Sequence, residues 1–151
     1  MMSVKDRVKN ANRIFYDIVG SSYEKLDGKR TGGLKNYLAW QLDFISKKTG
    51  SGSILDLGCG SGFVSNIAKD YFIKRYAIDI SPKMLEIIDD DTLIKINSDA
   101  DPIPIESESL DCVVTFAVLH HCYTYDQMFH EIHRVLRKGG IYYSDHDMDA
   151  Q

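Results

Sequence analysis

The residues Ile54-Leu55-Asp56-Leu57-Gly58-Cys59-Gly60-Ser61-Gly62 join a short apolar run, an acid and three alternate glycines. Glycines so spaced let a chain turn sharply after a strand and bring its amides close to a ligand at the start of the next helix. Asp56 narrows the ligand, because a carboxylate at that strand end repels a pyrophosphate and suits a group with ammonium or sulfonium charge. Read as a dinucleotide fingerprint, the stretch runs Gly58-x-Gly60-x-x-Phe63, and Phe stands where helix–strand packing needs a small residue. Cys59 has no basic neighbour in sequence, which suits a small side chain filling the turn rather than a nucleophile.

Two further acids fall in step with this turn. Asp79 lies 17 positions after Gly62, where a carboxylate can accept hydrogen bonds from both hydroxyls of a ribose over the glycine loop. Asp99, in Asn97-Ser98-Asp99-Ala100, can accept from the exocyclic amino group of an adenine while the Ala100 amide pairs with a ring nitrogen. Together they describe adenosine. His120 and His121 follow the next apolar run, and imidazole, titrating near pH ~6.5, suits proton abstraction at neutral pH. Equally, one of the pair could cap the following helix or bond backbone. His130-Glu131-Ile132-His133 is not the H-E-x-x-H pattern, and Asp145-His146-Asp147 is a weak hard-metal candidate, so no metal site is expected.

These side chains need elements to position them. Val4, Val8, Ala11, Ile14, Phe15, Ile18 and Val19 recur at helical spacing with Gly20 as a stop, predicting an amphipathic helix. After a polar, glycine-bearing stretch over 20–33, Leu34, Leu38, Leu42 and Ile45 mark a second helix ending near Thr49-Gly50. From Ser53 the pattern alternates between strand and helix. Strands are predicted over 54–57, 75–79, 92–97, 110–118 and 141–144. Between them lie a helix carrying Phe63, Val64, Ile67 and Ala68, one capped by Ser81-Pro82, and one over 125–137 closed by Gly139 or Gly140. The run over 110–118 is almost wholly apolar, as for a strand buried on both faces. Such alternation gives right-handed crossovers and an α/β fold: a doubly wound, mainly parallel, Rossmann-like sheet preceded by two N-terminal helices. Ligands then bind at the carboxyl ends of the strands, where Asp56, Asp79, Asp99 and His120 all fall. Residues 1–50 are expected to form a helical cap and 51–151 the ligand-binding core, within one structural domain.

A net charge of −4 gives no global cationic field, which argues against a nucleic-acid partner and for a small-molecule one. No apolar run reaches the roughly 20 residues of a membrane span, the N-terminus has no signal-peptide core, and the three scattered cysteines read as reduced thiols. The expected compartment is the cytoplasm.

The ordered motifs resemble the class I S-adenosylmethionine-dependent methyltransferases, in their small-molecule branch. They are the Asp56–Gly62 turn, Ala77-Ile78-Asp79-Ile80-Ser81-Pro82, Ser98-Asp99-Ala100, Leu110-Asp111-Cys112-Val113-Val114, Ala117-Val118-Leu119-His120-His121 and Arg134-Val135-Leu136-Arg137-Lys138-Gly139-Gly140. The resemblance implies S-adenosylmethionine as cofactor, with Asp56, Gly58, Cys59, Gly60 and Gly62 at its methionine end. It also implies Asp79 and Ile80 at the ribose, Asp99 and Ala100 at the adenine, and Phe116 in the same set. Tyr16 and Tyr23 lie where this family often closes an N-terminal helix over the cofactor. Transfer of a methyl group is an in-line displacement that needs alignment and exclusion of water. A proton-bearing acceptor also needs a base, for which His120 and then His121 are the candidates. Thr115-Phe116-Ala117-Val118 lacks the Asn/Asp-Pro-Pro-aromatic signature of base and amide nitrogen methylation.

The family's sheet has seven strands, whereas this chain stops shortly after the fifth. A fragment of a longer protein is one expectation, and a homodimer covering the open sheet edge is another. The competing functions are a non-catalytic S-adenosylmethionine-binding module and, more remotely, a nicotinamide dehydrogenase.

Overall fold

The apolar runs over Ser53–Leu57 and Leu110–Phe116 are buried along nearly their whole length, whereas the edge strand Ile94–Asn97 is largely exposed. The computed structural model describes residues 2–22 and 31–147. Strands β1 (Ser53–Leu57), β2 (Lys74–Asp79), β3 (Ile94–Asn97), β4 (Leu110–Phe116) and β5 (Leu136–Asp145) pair in parallel in the order β3-β2-β1-β4-β5. The helices are α1 (Val4–Val19), α2 (Gly32–Thr49), α3 (Phe63–Ala68), α4 (Pro82–Glu86) and α5 (Asp126–Val135). From β1 the chain first builds outward through β2 and β3, then returns to lay β4 on the other side. That reversal creates the crevice in which ligands of such sheets bind.

Period-two alternation divides the core. Ile54, Cys112 and Val114 face α2 and α3, against Leu38, Leu42, Ile45, Val64 and Ile67. Leu55, Leu57 and Val113 face α5, against Met128, Ile132 and Val135. Burial pushes the Cys112 thiol up to about 12, so it acts as an apolar filler. Below α4, Ala77, Leu85, Ile88 and Leu93 form a smaller cluster. Ser81 caps α4 by accepting from the Met84 amide, with Pro82 in the first turn.

Two expectations fail. Neither Gly139 nor Gly140 caps α5, which passes directly into β5 at Leu136. Its last carbonyls are instead satisfied from the strand entering beside it, by Glu108 N–H on Arg134 O and Ser109 N–H on Val135 O. The glycines lie within β5, where register shifts between the pairs Leu110–Leu136 and Cys112–Ile141, and Gly139 takes φ +82° in this irregularity.

The second failure is the face of α1. It spans Val4–Val19 but buries no residue, leaving Val4, Ile14, Phe15 and Ile18 exposed. The side turned toward the protein is mostly polar: Lys5 bonds Asp101, Lys9 bonds Asp99, Asn12 bonds the His121 carbonyl and Tyr16 bonds the His121 ring. Positions 5, 9, 12 and 16 form one helical stripe. The apolar periodicity located the helix but not its inward face, because hydrogen bonds and ion pairs seat it.

Arg75 is buried on β2, donating to Asp90 (2.9 Å), Thr92 Oγ1 (2.6 Å) and the Ser65 carbonyl (3.0 Å). Arg75 and Thr92 hold the Asp90 carboxyl far below the usual carboxylate range. A depressed folded value stabilises the fold above the unfolded value near ~3.9 and loses that stabilisation as pH falls. Asp90→Asn is therefore expected to flatten the acid limb of stability below about pH 4, read as urea midpoint against pH. An unchanged limb would contradict this assignment.

Candidate active site

At the carboxyl end of β1 the chain turns through Gly58, whose φ is +74° and whose amide bonds the Ile78 carbonyl at 2.8 Å. A Cβ on Gly58 would lie 2.6 Å from Val118 Cγ2, so this turn and the segment after β4 are in close contact. Gly62 begins α3 with no side-chain cap of its own. The cap comes from Asp56, whose Oδ2 accepts from Ser65 N (2.9 Å) and Ser65 Oγ (2.6 Å). The carboxylate thus occupies an amide that a nucleotide phosphate would otherwise claim, which strengthens the case against a dinucleotide.

Asp79 ends β2, 7% exposed, with Oδ2 accepting from Gly60 N and Oδ1 from Ser81 N, both at 2.8 Å. Burial raises its carboxyl above the ordinary range, opposed by the backbone donors. A carboxylate has about four acceptor positions, so acceptor capacity remains beside these backbone donors. Asp99 follows β3, with Oδ1 accepting from Asp101 N (2.7 Å) and Oδ2 paired with Lys9 (2.6 Å).

After β4, Leu119–His121 form a 3-10 turn that presents two imidazoles with centroids 4.0 Å apart. The His121 Nε2 is 2.7 Å from the Tyr16 hydroxyl, and burial, then His120, lower its titration. His120 Nδ1 is 3.2 Å from Asp147 Oδ1. Phe116 stacks on His146, with centroids 4.6 Å apart and planes at 21°.

These groups surround one cavity of about 490 Å³. Every expected catalytic or cofactor-binding residue lines it except Gly62, which serves the turn and packs near Ile88, and Tyr23, which lies outside the described residues. Cys59 is buried, and burial followed by Asp56 and Asp79 drives its thiol well above the ordinary range, leaving it protonated and unreactive. Sequence reasoning missed Lys5, Lys9, Asn12 and Asp147. The first three were legible only as helical spacing on a helix whose orientation was unknown. Asp147 stood in the Asp145-His146-Asp147 group considered for a metal, but it bonds Leu119 N, Ser144 Oγ and His120 instead. Among the described residues no cluster could hold a metal ion.

A parallel sheet with this strand order, a glycine turn after β1 and acids at the ends of β1 and β2 and just after β3 defines the class I methyltransferase fold. The chain belongs to the methyltransferase domain family, whose model matches residues 55–144. Among curated relatives, the tRNA (carboxymethyluridine(34)-5-O)-methyltransferase of Macaca fascicularis is 29% identical over 87% of this chain and 20% of its own length. The malonyl-[acyl-carrier protein] O-methyltransferase of Serratia marcescens is 26% identical over 68% of this chain and 44% of its own. The chain therefore spans less than half of either relative. Among solved structures, a proposed S-adenosylmethionine-dependent methyltransferase of Methanococcus maripaludis superposes with TM-score 0.64 and 22% identity, over 95% of this chain and 66% of that one. Family membership implies S-adenosylmethionine as the cofactor.

Proposed function

We propose that this chain binds S-adenosylmethionine in the 490 Å³ cavity and transfers its methyl group to a small-molecule acceptor. The observation that carries this reading is the convergence of Asp56, Asp79 and Asp99 with His120 and His121 on that one cavity. The residues fit the cofactor. Asp79 keeps acceptor capacity for two ribose hydroxyls, Asp99 and Ala100 face the place of the adenine, and Gly58 and Gly60 let backbone approach the methionine end. Cys59, Ile80 and Phe116 complete the wall, with Tyr16 closing it from α1.

When bound, the cofactor supplies a methyl carbon attached to a cationic sulfur and hence open to in-line attack. The chain's own contribution is placement and dryness. Lys5, Lys9, Asn12 and Tyr16 pin α1 across the cavity, and His120 stands where an acceptor's proton can be taken.

The net charge of −4, which gives no global cationic field for a nucleic acid, supports a small-molecule acceptor. A nucleic-acid acceptor is the second reading, motivated by the macaque relative named for a tRNA carboxymethyluridine. Calorimetry should show S-adenosylhomocysteine binding and no NAD binding, and absence of S-adenosylhomocysteine binding by folded protein would overturn the reading. Incubation with methyl-labelled cofactor should then put label into a metabolite extract rather than into tRNA.

A further inference from the structure

Resting on that reading of the cavity, we infer that Asp147 is a positioning residue that presents His120 Nε2 as a base, and that the acceptor is a hydroxyl rather than a carboxylate. The two imidazoles after β4 differ in what they are free to do. His121 is committed: its Nε2 meets the Tyr16 hydroxyl at 2.7 Å and its carbonyl accepts from Asn12 at 2.9 Å. It belongs to the fastening of α1.

His120 is aimed instead. Asp147 Oδ1 accepts from the Leu119 amide at 2.7 Å, and its Oδ2 accepts from Ser144 Oγ at 3.0 Å, fixing the carboxylate between the end of β5 and the turn after β4. An ionised carboxylate can only accept, so at 3.2 Å the His120 Nδ1 must carry the proton that joins them. Nε2 then holds the lone pair, on a ring that lines the cavity. The ring packed against His120 is His121, which in turn meets the Tyr16 hydroxyl, and neither is a second carboxylate.

This arrangement serves an acceptor that must lose a proton. The hydroxyl proton would pass to Nε2, giving an imidazolium stabilised by Asp147, and the electron pair left on oxygen would form the new bond to the methyl carbon as the carbon–sulfur bond breaks, its pair leaving with S-adenosylhomocysteine. A carboxylate acceptor is already deprotonated and has no use for a base, and Asp147 is a fixed negative charge beside its path.

The first test is nitrogen NMR of the full chain with labelled histidine, at a pH where imidazole is neutral. His120 should carry its proton on Nδ1, and Asp147→Asn, which keeps an acceptor oxygen for Leu119, should shift it toward Nε2. Asp147→Ala provides the same comparison should the amide of Asn mimic the carboxylate. His120 protonated on Nε2 in the unsubstituted chain overturns the assignment of Asp147.

The second test uses the product labelled from methyl-labelled cofactor. Mild alkali should leave the label in place and hydriodic acid should release it as methyl iodide, as for an ether; release as methanol by alkali would identify a carboxyl ester, resistance to hydriodic acid an N- or C-methyl group, and either would overturn the hydroxyl acceptor. Asp147→Asn should lower transfer roughly 10–100-fold while S-adenosylhomocysteine affinity stays within about twofold. Failure of the unsubstituted chain to bind S-adenosylhomocysteine would instead overturn the underlying cofactor reading, so the two failures are distinguishable.

Discussion

Gly58→Ala is expected to destabilise the chain by about 3 kcal/mol, well beyond the effect of Gly139→Ala. Both glycines have positive φ, +74° and +82°, so a side chain at either carries a left-handed strain of roughly 1–2 kcal/mol. They differ in space. A Cβ at Gly139 meets nothing within 4 Å, whereas one at Gly58 would sit 2.6 Å from Val118 Cγ2 and 3.0 Å from its Cγ1. Val118 is β-branched and stiff about χ1, so relief requires backbone movement after β4, at an added cost of roughly 1–3 kcal/mol. That movement would be passed to the adjoining turn carrying His120 and His121, so affinity for the cofactor product should also fall. Urea titration of the two variants measures the difference directly. Equal destabilisation at 58 and 139 would show that the turn has slack and that Val118 is not a constraint.

That contact explains what could and could not be read in advance. The parallel sheet was legible because β4 is almost wholly apolar, broken only by Asp111 and Thr115, a pattern that burial on two faces requires. The acids at the carboxyl ends of β1, β2 and β3 were legible because alternation of strand and helix brings successive strand ends to one edge. What could not be read depends on contacts between distant segments. Asp56 shares its carboxylate with Ser65, which no spacing rule separates from a purely ligand-binding acid. The end of α5 is closed by amides of residues 108 and 109, so its glycines were free to serve the irregular strand instead. The inward face of α1 is set by partners at Asp99, Asp101 and His121, about 90–109 positions away, against the helix's own apolar pattern. Asp147 is the same case, since its value lies wholly in where β5 delivers it beside the turn after β4.

The second large effect is expected at Asp79, and it separates function from stability. Asp79→Asn should weaken S-adenosylhomocysteine binding about 100-fold while changing folding stability by less than about 1 kcal/mol. As the proposed ribose acceptor, the carboxylate offers two charged hydrogen bonds to the hydroxyls, each worth roughly 1.5 kcal/mol or more. An Asn amide has one acceptor oxygen, and its nitrogen would face the N–H of Gly60 or Ser81. Stability gains and loses at once. One backbone bond is forfeited, but so is the cost of keeping a charge 7% exposed, the burial that raises this carboxyl above its ordinary range. The sign with pH follows. A carboxyl raised in the folded state binds protons more tightly folded than unfolded, so Asp79's contribution to stability falls as pH rises between the two values. Affinity runs the other way, because only the ionised form accepts from both hydroxyls. Over that window Asp79's own contribution to stability should fall and affinity should rise as pH rises, and Asp79→Asn should remove both contributions, read as the difference from the unsubstituted chain. Calorimetry and urea titration across the same pH series measure them, and an Asn variant that binds within threefold of the original would show that Asp79 shapes the glycine turn without touching the ligand.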